Sequence, residues 1–280
     1  MAPEAEESPP LRQATTTGTA STRAERLAGT CMIALGICAV LPISTEAPGR
    51  TLIVGAVAGV LIVTACFLRS PAVIRAAVFI GPLFGCFATG ILSGWPPAVT
   101  TVLACVLPLG CLLLAGRSTA LRPATPWLTR GSLTPEAPWL GLATVLLSAA
   151  ALTAWALAVR PEPGEYLQEL RRLPLGLAIL GIVAFALVNP VWEETLFRGV
   201  LLTELAAVWG TRPAVVLQAV LFGAAHYAGF PSGIIGMIMA GTWGLVLGIM
   251  RVRSGGILIT YLVHVTANAV IGILAVLILH

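Results

Sequence analysis

The sequence predicts an all-α, polytopic membrane protein: a helical bundle of about 8–10 transmembrane helices. Composition is the first observation behind it. Of 280 residues, 58% are hydrophobic and only 10% charged, whereas soluble domains carry roughly 25% charged residues. Apolar runs are the second, because stretches of about 20 residues, enough to cross a bilayer as a helix, recur along the chain. The third is where the arginines fall between those runs. All acidic residues are Glu and all basic ones Arg, and the net charge is +4. That balance is too small for a nucleic-acid-binding surface and fits arginines on a cytoplasmic face.

Taken in order, residues 1–26 are rich in Thr, Ser, Pro, Glu and Ala and lack a signal-peptide core, so they predict a disordered tail. Spans are expected near 27–44, 51–68, 72–94, 97–116, 138–158, 173–189, 213–229, 232–250 and 255–279, with Gly255–Gly256 and Gly272 offering breaks in the last run. The Thr- and Pro-rich stretch 117–137 reads as a flexible linker. It divides a four-helix unit, 27–116, from a second unit, 138–280. The polar stretch 160–172 reads as interfacial. Cys31, Cys38, Cys66, Cys86, Cys105 and Cys111 all lie in apolar runs without a CxxC pair. They read as small apolar residues and not as a disulfide frame or zinc knuckle.

With the N-terminus inside, one face gathers Arg12, Arg23, Arg26, Arg69, Arg75, Arg117, Arg122, Arg130, Arg212, Arg251 and Arg253. The other receives Arg50, Arg160, Arg171 and Arg172. The excess predicts a cytoplasmic N-terminus, and the expected location is a bacterial plasma membrane. Arg75 stands near a span end, where its long side chain can snorkel to the interface.

The second unit carries what a membrane helix normally excludes: Glu193, Glu194, Arg198, His226, His264 and Asn268. A charge at the bilayer centre costs about 3 kcal/mol on insertion scales. Any one such residue reads first as structural, a buried ion pair or a histidine on a backbone carbonyl. Three segments contributing with regular spacing point to a site. Glu194 and Arg198 are four apart on one helical face, so Arg198 neutralises Glu194. Glu193 is rotated about 100° away and is left without a local cation, a candidate base. Asn189–Pro190 reads as an N-cap followed by a first helical residue, because one helix over 173–208 would run to about 54 Å, nearly twice the membrane core. A restart there would aim a helix dipole at Glu193 and oppose the effect of its burial. In "FGAAHYAG", Phe222 and His226 are four apart, and Gly223, Ala224 and Ala225 permit close helix approach. In "HVTAN", His264 and Asn268 are four apart, and Asn is a neutral donor suited to a developing negative charge. Counted along the helices from turns on one side, His226 and Asn268 lie about 21 Å deep and His264 about 15 Å. Glu193 lies about 22–25 Å deep, so the groups can converge.

This set of motifs resembles the signature of the CAAX-protease and bacteriocin-processing (CPBP, or Abi) family of intramembrane endopeptidases: Glu193-Glu194-x-x-x-Arg198, Phe222-x-x-x-His226 and His264-x-x-x-Asn268. It covers about 173–279, and the helices before residue 117 match no pattern. The resemblance implies that Glu193 is the general base for water, with His226 assisting, and that His264 and Asn268 stabilise the oxyanion. Glu194, Arg198 and Phe222 would support them. It implies a lipidated or membrane-associated peptide or protein as substrate, the lipid bilayer as surroundings and no nucleic-acid partner. No HExxH is present, and no cofactor is expected. The alternative is zinc held by Glu193, His226 and His264 with water in the fourth place. A proton-coupled transporter and a non-catalytic membrane scaffold are the competing functions. Against the first, the EE and HxxxN patterns do not repeat in the N-terminal helices; against the second, every motif residue is present. Residues 1–130 are expected to modulate access and not to supply chemistry.

Overall fold

The computed structural model describes residues 22–132, 135–159, 173–229 and 231–278. Most of the expected tail and the polar stretch 160–172 lie outside them. The protein is an all-α integral membrane protein. Six helices among the described residues are long and apolar enough to cross a membrane.

Helix α1, Arg23–Val40, begins inside the expected tail because Thr22 and Glu25 form a capping box. Each side chain accepts the other's backbone N–H, satisfying two donors the first turn leaves free. Pro starts each of the next three helices: α2 (Pro48–Leu68), α3 (Pro71–Leu92) and α4 (Pro97–Arg117). At that position its fixed φ helps and its missing N–H costs nothing. Helix α5 is Ala137–Val159. Helix α6 is Leu175–Glu194, followed without interruption by a wide π-helical segment, Thr195–Leu201, and by α7, Leu202–Trp209. Gly210, at φ +87, ends it. Helices α8 (Thr211–Ala225), α9 (Gly233–Ser254) and α10 (Leu258–Ile278) complete the chain.

Two expectations about helix breaks are corrected. Pro190 does not restart the helix: it lies inside α6, and Asn189 is no cap. The irregularity falls five residues later. The Thr195 hydroxyl donates to the Val191 carbonyl at 2.6 Å, a back-bond that bends helices, and the backbone then widens into the π turn. Gly272 does not break α10. It is the contact point with α6, where an added Cβ would meet Ile182 at 2.5 Å.

Helix α3 is central: half of its apolar window is buried, against 17% for α2. Exposed apolar residues such as Phe67, Trp139, Leu147 and Leu175 face outward, where hydrocarbon replaces water. One buried apolar cluster runs from Met32 and Leu35 through Phe79 and Ile80 to Leu196, Phe197, Leu201 and Phe222. The N-terminal helices therefore pack directly on the segment that follows Glu194. Arg75 does not snorkel. It is buried, and its guanidinium grips Glu204 on α7 through Nε–Oε1 at 2.7 Å and Nη2–Oε2 at 2.5 Å. The stretch 117–132 is docked rather than loose. Trp127 is buried, and backbone bonds tie Thr129 and Ser132 to the α9–α10 turn. All six cysteines are free thiols.

Candidate active site

Glu193, Glu194 and Arg198, on α6 and the π segment, meet His264 of α10. Glu193 and Glu194 end α6, and all seven residues of the π segment are buried. Arg198 Nη1 donates to Glu194 Oε1 at 2.9 Å, one turn on, with neither side chain exposed by more than 1%. The remaining face of the Arg198 guanidinium is covered by the Phe222 ring, 4.4 Å from its Cζ. The negative face of the ring receives the cation where its Nε and Nη2 find no acceptor.

His264 reaches this cluster from α10. Its Nδ1 lies 2.8 Å from Glu194 Oε1, and its Nε2 lies 3.4 Å from Glu193 Oε2. An ionised carboxylate only accepts, so Nδ1 carries a proton toward Glu194 and Nε2 is the nitrogen offered to Glu193. Glu193, expected to stand free of local partners, has one. Asn189, one turn back, donates from Nδ2 to its Oε1 at 2.7 Å, and Trp192 Nε1 holds Asn189 Oδ1 at 3.1 Å. Glu193 Oε2 is left without a hydrogen-bond donor. Asn268, one turn beyond His264, is 4% exposed, and its Nδ2 has no acceptor.

His226 stands apart from Glu193. Helix α8 ends at Ala225, shorter than the expected span, and His226 caps it. Gly229 N bonds back to His226 O at 3.0 Å, and Gly233 N to Tyr227 O at 2.8 Å. Its Nδ1 is 2.8 Å from the Phe222 carbonyl, and its ring lies 4.5 Å from the Phe222 ring. The Nε2 edge is left for the cavity. The close approach expected of Gly223 is present: a Cβ there would meet the Met237 carbonyl at 2.6 Å.

A cavity of about 390 Å³ opens beside these groups, walled by α5, α9 and α10. His226, His264, Asn268 and Phe222 line one side, and Ser148 and Trp243 face them within a mostly apolar wall. The structure thus gathers Glu193, Glu194, Arg198 and His264 in one cluster and sets His226 and Asn268 on the wall of the adjoining cavity. Two further residues belong to the setting. Asn189 was legible as a side chain four positions before Glu193, but its place before a proline made it look like a cap. Arg251, fully buried on α9, is a further guanidinium whose Nε, Nη1 and Nη2 have no hydrogen-bond partner. No local pairing partner marked it in the sequence.

This is a membrane-embedded helical bundle with a buried carboxylate–histidine centre open to an apolar cavity. Residues 174–270 match the family model described as type II CAAX prenyl endopeptidase Rce1-like. The chain is also similar to a protein of Escherichia coli named "Uncharacterized 24.3 kDa protein", with 30% identity over 137 residues. The match covers 47% of this chain and 60% of that relative. No solved structure matches.

Proposed function

We propose that the protein is an intramembrane endopeptidase that hydrolyses a peptide bond with water activated by Glu193. One observation carries this reading. Within a single buried centre beside a cavity, Glu193 Oε2 and Glu194 Oε2 have no donor and one amide nitrogen, Asn268 Nδ2, has no acceptor; of the two carboxylates Glu194 is already paired with Arg198 and His264, which leaves Glu193 as the spare acceptor. A spare acceptor and a spare donor in a buried site are what amide hydrolysis requires: one to take a proton, the other to hold the charge that develops.

In this mechanism the substrate carbonyl lies in the cavity near Asn268. Glu193 Oε2 accepts a proton as the water oxygen bonds to the carbonyl carbon. The carbonyl oxygen becomes an oxyanion and is held by the Asn268 Nδ2–H and, with His264 as the imidazolium whose Nδ1–H is taken by Glu194, by the His264 Nε2–H. The proton then passes to the departing amine, the C–N bond breaks, and a carboxylic acid and an amine are released. His226, with its Nδ1 turned to the Phe222 carbonyl, presents Nε2 to the cavity as a second proton carrier. Glu194, paired with Arg198, holds the Nδ1–H of His264 and so orients its ring. Phe222 touches Arg198, His226 and His264 together and holds their spacing.

The zinc alternative fits less well. Among the described residues no group of three or more His, Cys, Asp or Glu is placed to hold a metal ion. Glu193 and His264 meet, but His226 is held by its own helix. The metal-free route is therefore proposed. The mostly apolar cavity favours a membrane-associated or lipidated peptide, reached from a bacterial plasma membrane with the N-terminus in the cytoplasm. The test is cleavage of a panel of lipidated and leader peptides by purified protein, comparing wild type with Glu193→Gln. Loss of about 10²-fold or more in the variant is expected from removal of a positioned base. Activity within tenfold of wild type would remove Glu193 from the role.

A further inference from the structure

The stretch between the two halves touches both sides of the candidate site at once. Trp127 is 5% exposed, and its Nε1 donates to Glu204 Oε1 at 2.6 Å. Glu204 stands on α7, which continues the helix that carries Glu193 and Glu194. The Arg75 guanidinium holds the same carboxylate from α3. Two residues on, the chain binds the α9–α10 turn. Ile257 N donates to Thr129 O at 2.8 Å, Ser132 N to Ser254 O at 2.8 Å, and the Thr129 hydroxyl to Gly255 O at 2.8 Å. Gly131, at φ +75, and Gly256 pass backbone to backbone: a Cβ on Gly131 would stand 2.5 Å from Gly256 Cα. At Gly199 the two contacts meet, since a Cβ there would lie 3.6 Å from Trp127 O and 3.8 Å from Ile257 Cδ1.

We propose that residues 127–132 form a strap, anchored by Trp127 on Glu204 and by Gly131 on Gly256, that sets the position of His264 relative to Glu193. The geometry is that of a lever. Ile257 and His264 are seven residues apart, about two helical turns on one face of α10, and Asn268 follows on the same face. A shift of the α9–α10 turn is carried along α10 to both residues. The carboxylates are carried by α6, which runs through the π segment into α7 and so to Glu204. Glu194 Oε1 and His264 Nδ1 at 2.8 Å, and the Tyr261 hydroxyl on the Leu187 carbonyl at 2.9 Å, already join α6 to α10, but the 3.4 Å between Glu193 Oε2 and His264 Nε2 is too long for a strong bond, so that separation follows how the two helices are held elsewhere. The strap adds one such hold from outside the segment that matches the family. Trp127 is thus a positioning residue, acting through Glu204 and the turn and not on substrate. A chain lacking this stretch would lose activity even if its helices folded. The inference rests on the endopeptidase reading for its catalytic consequence but not for its geometry.

The experiment uses the full-length protein with three single variants. Trp127→Phe keeps the ring and removes the N–H, Gly131→Val pushes the strap from the turn, and Leu128→Ala changes an exposed strap residue as a control. Two quantities are read: kcat and KM for peptide cleavage, and the distance distribution between spin labels at Ala207 and Leu262 in a background without native cysteines. The expected result is a fall in kcat of about tenfold or more for Trp127→Phe and Gly131→Val with KM within twofold, as for misplacement of a reacting group, and a broadened distance distribution. Leu128→Ala should match wild type in both. Unchanged distances, or broadened distances with kcat within twofold of wild type, would overturn the proposal. If the wild type cleaves nothing, the endopeptidase reading fails on its own, and the distance distributions still decide whether the strap ties α7 to α10.

Discussion

Among the described residues, carboxylate and arginine meet in two buried centres, and these differ in what is left over. At Glu204 both carboxylate oxygens are engaged, one by Arg75 Nη2 and the other by Arg75 Nε and Trp127 Nε1. At the Glu193–Glu194–Arg198–His264 centre, Glu193 Oε2, Glu194 Oε2, Arg198 Nε and Nη2 and the nearby Asn268 Nδ2 have no hydrogen-bond partner. Desolvating an unpaired polar atom costs about 1–3 kcal/mol, more for a charge, so the second centre is held at a cost the first avoids. A saturated buried pair is a joint between helices. An unsaturated one beside a cavity has capacity for a substrate and a water. The comparison teaches that charge inside this bundle does not by itself mark a catalytic group; what distinguishes the second centre is spare hydrogen-bonding capacity beside a cavity.

The largest effect expected from breaking the comparison is at Glu193. Glu193→Gln keeps the shape and removes the proton acceptor, so cleavage should fall by about 10²–10⁴-fold, with monodisperse protein in detergent and a melting temperature close to wild type. A variant that keeps a tenth of the activity would put the base elsewhere. Next comes Asn268→Ala, which removes the spare donor. A loss of about 10²–10³ in kcat is expected, with KM changed by much less, since the interaction strengthens as the oxyanion forms. A rise in KM with kcat intact would make Asn268 a substrate-binding group instead.

The joint residues should behave differently. Arg198→Ala leaves Glu194 buried without its main cation, at about 3–5 kcal/mol, and Arg75→Ala should do the same to Glu204. Denaturant unfolding in detergent should show both variants to be clearly less stable than Glu193→Gln. Were Arg198→Ala as stable as wild type but inactive, its guanidinium would be contacting substrate. The smallest effect is expected from metal removal. Activity should stay within about twofold after phenanthroline treatment, because no general acid–base step of the proposed mechanism passes through a metal. Zinc at one equivalent, lost in step with activity, would reverse that assignment.

The candidate site was largely legible because its geometry is mostly local. Glu194 with Arg198, Phe222 with His226, and His264 with Asn268 are all four apart, and a helix places such residues on one face whatever surrounds it. The errors came where a local sign had two meanings. Pro190 could start a helix or sit inside one, and the packed helix around it kept it inside. Asn189 before a proline looked like a cap, yet its side chain turns along the helix to Glu193. Arg75, close to a span end, had the reach to snorkel, and only the position of Glu204, 129 residues away, shows that it does not.

Composition and apolar run length determined by themselves that this chain is a helical bundle in a membrane, because backbone polar groups in hydrocarbon must bond within the segment and a helix achieves this at any position. Helical spacing likewise determined which polar residues share a face. Tertiary structure alone decided which histidine meets which carboxylate. Glu193 and Glu194 meet His264, 70 residues or more away, while His226 turns to its own backbone. It also decided that a Thr- and Pro-rich stretch that reads as a flexible linker is docked between Glu204 and Gly256. Such pairings depend on the distance and angle between packed helices, set by small residues at contacts such as Gly223, Gly256 and Gly272. Periodicity along one chain segment carries no information about the side chains a distant segment will bring to it.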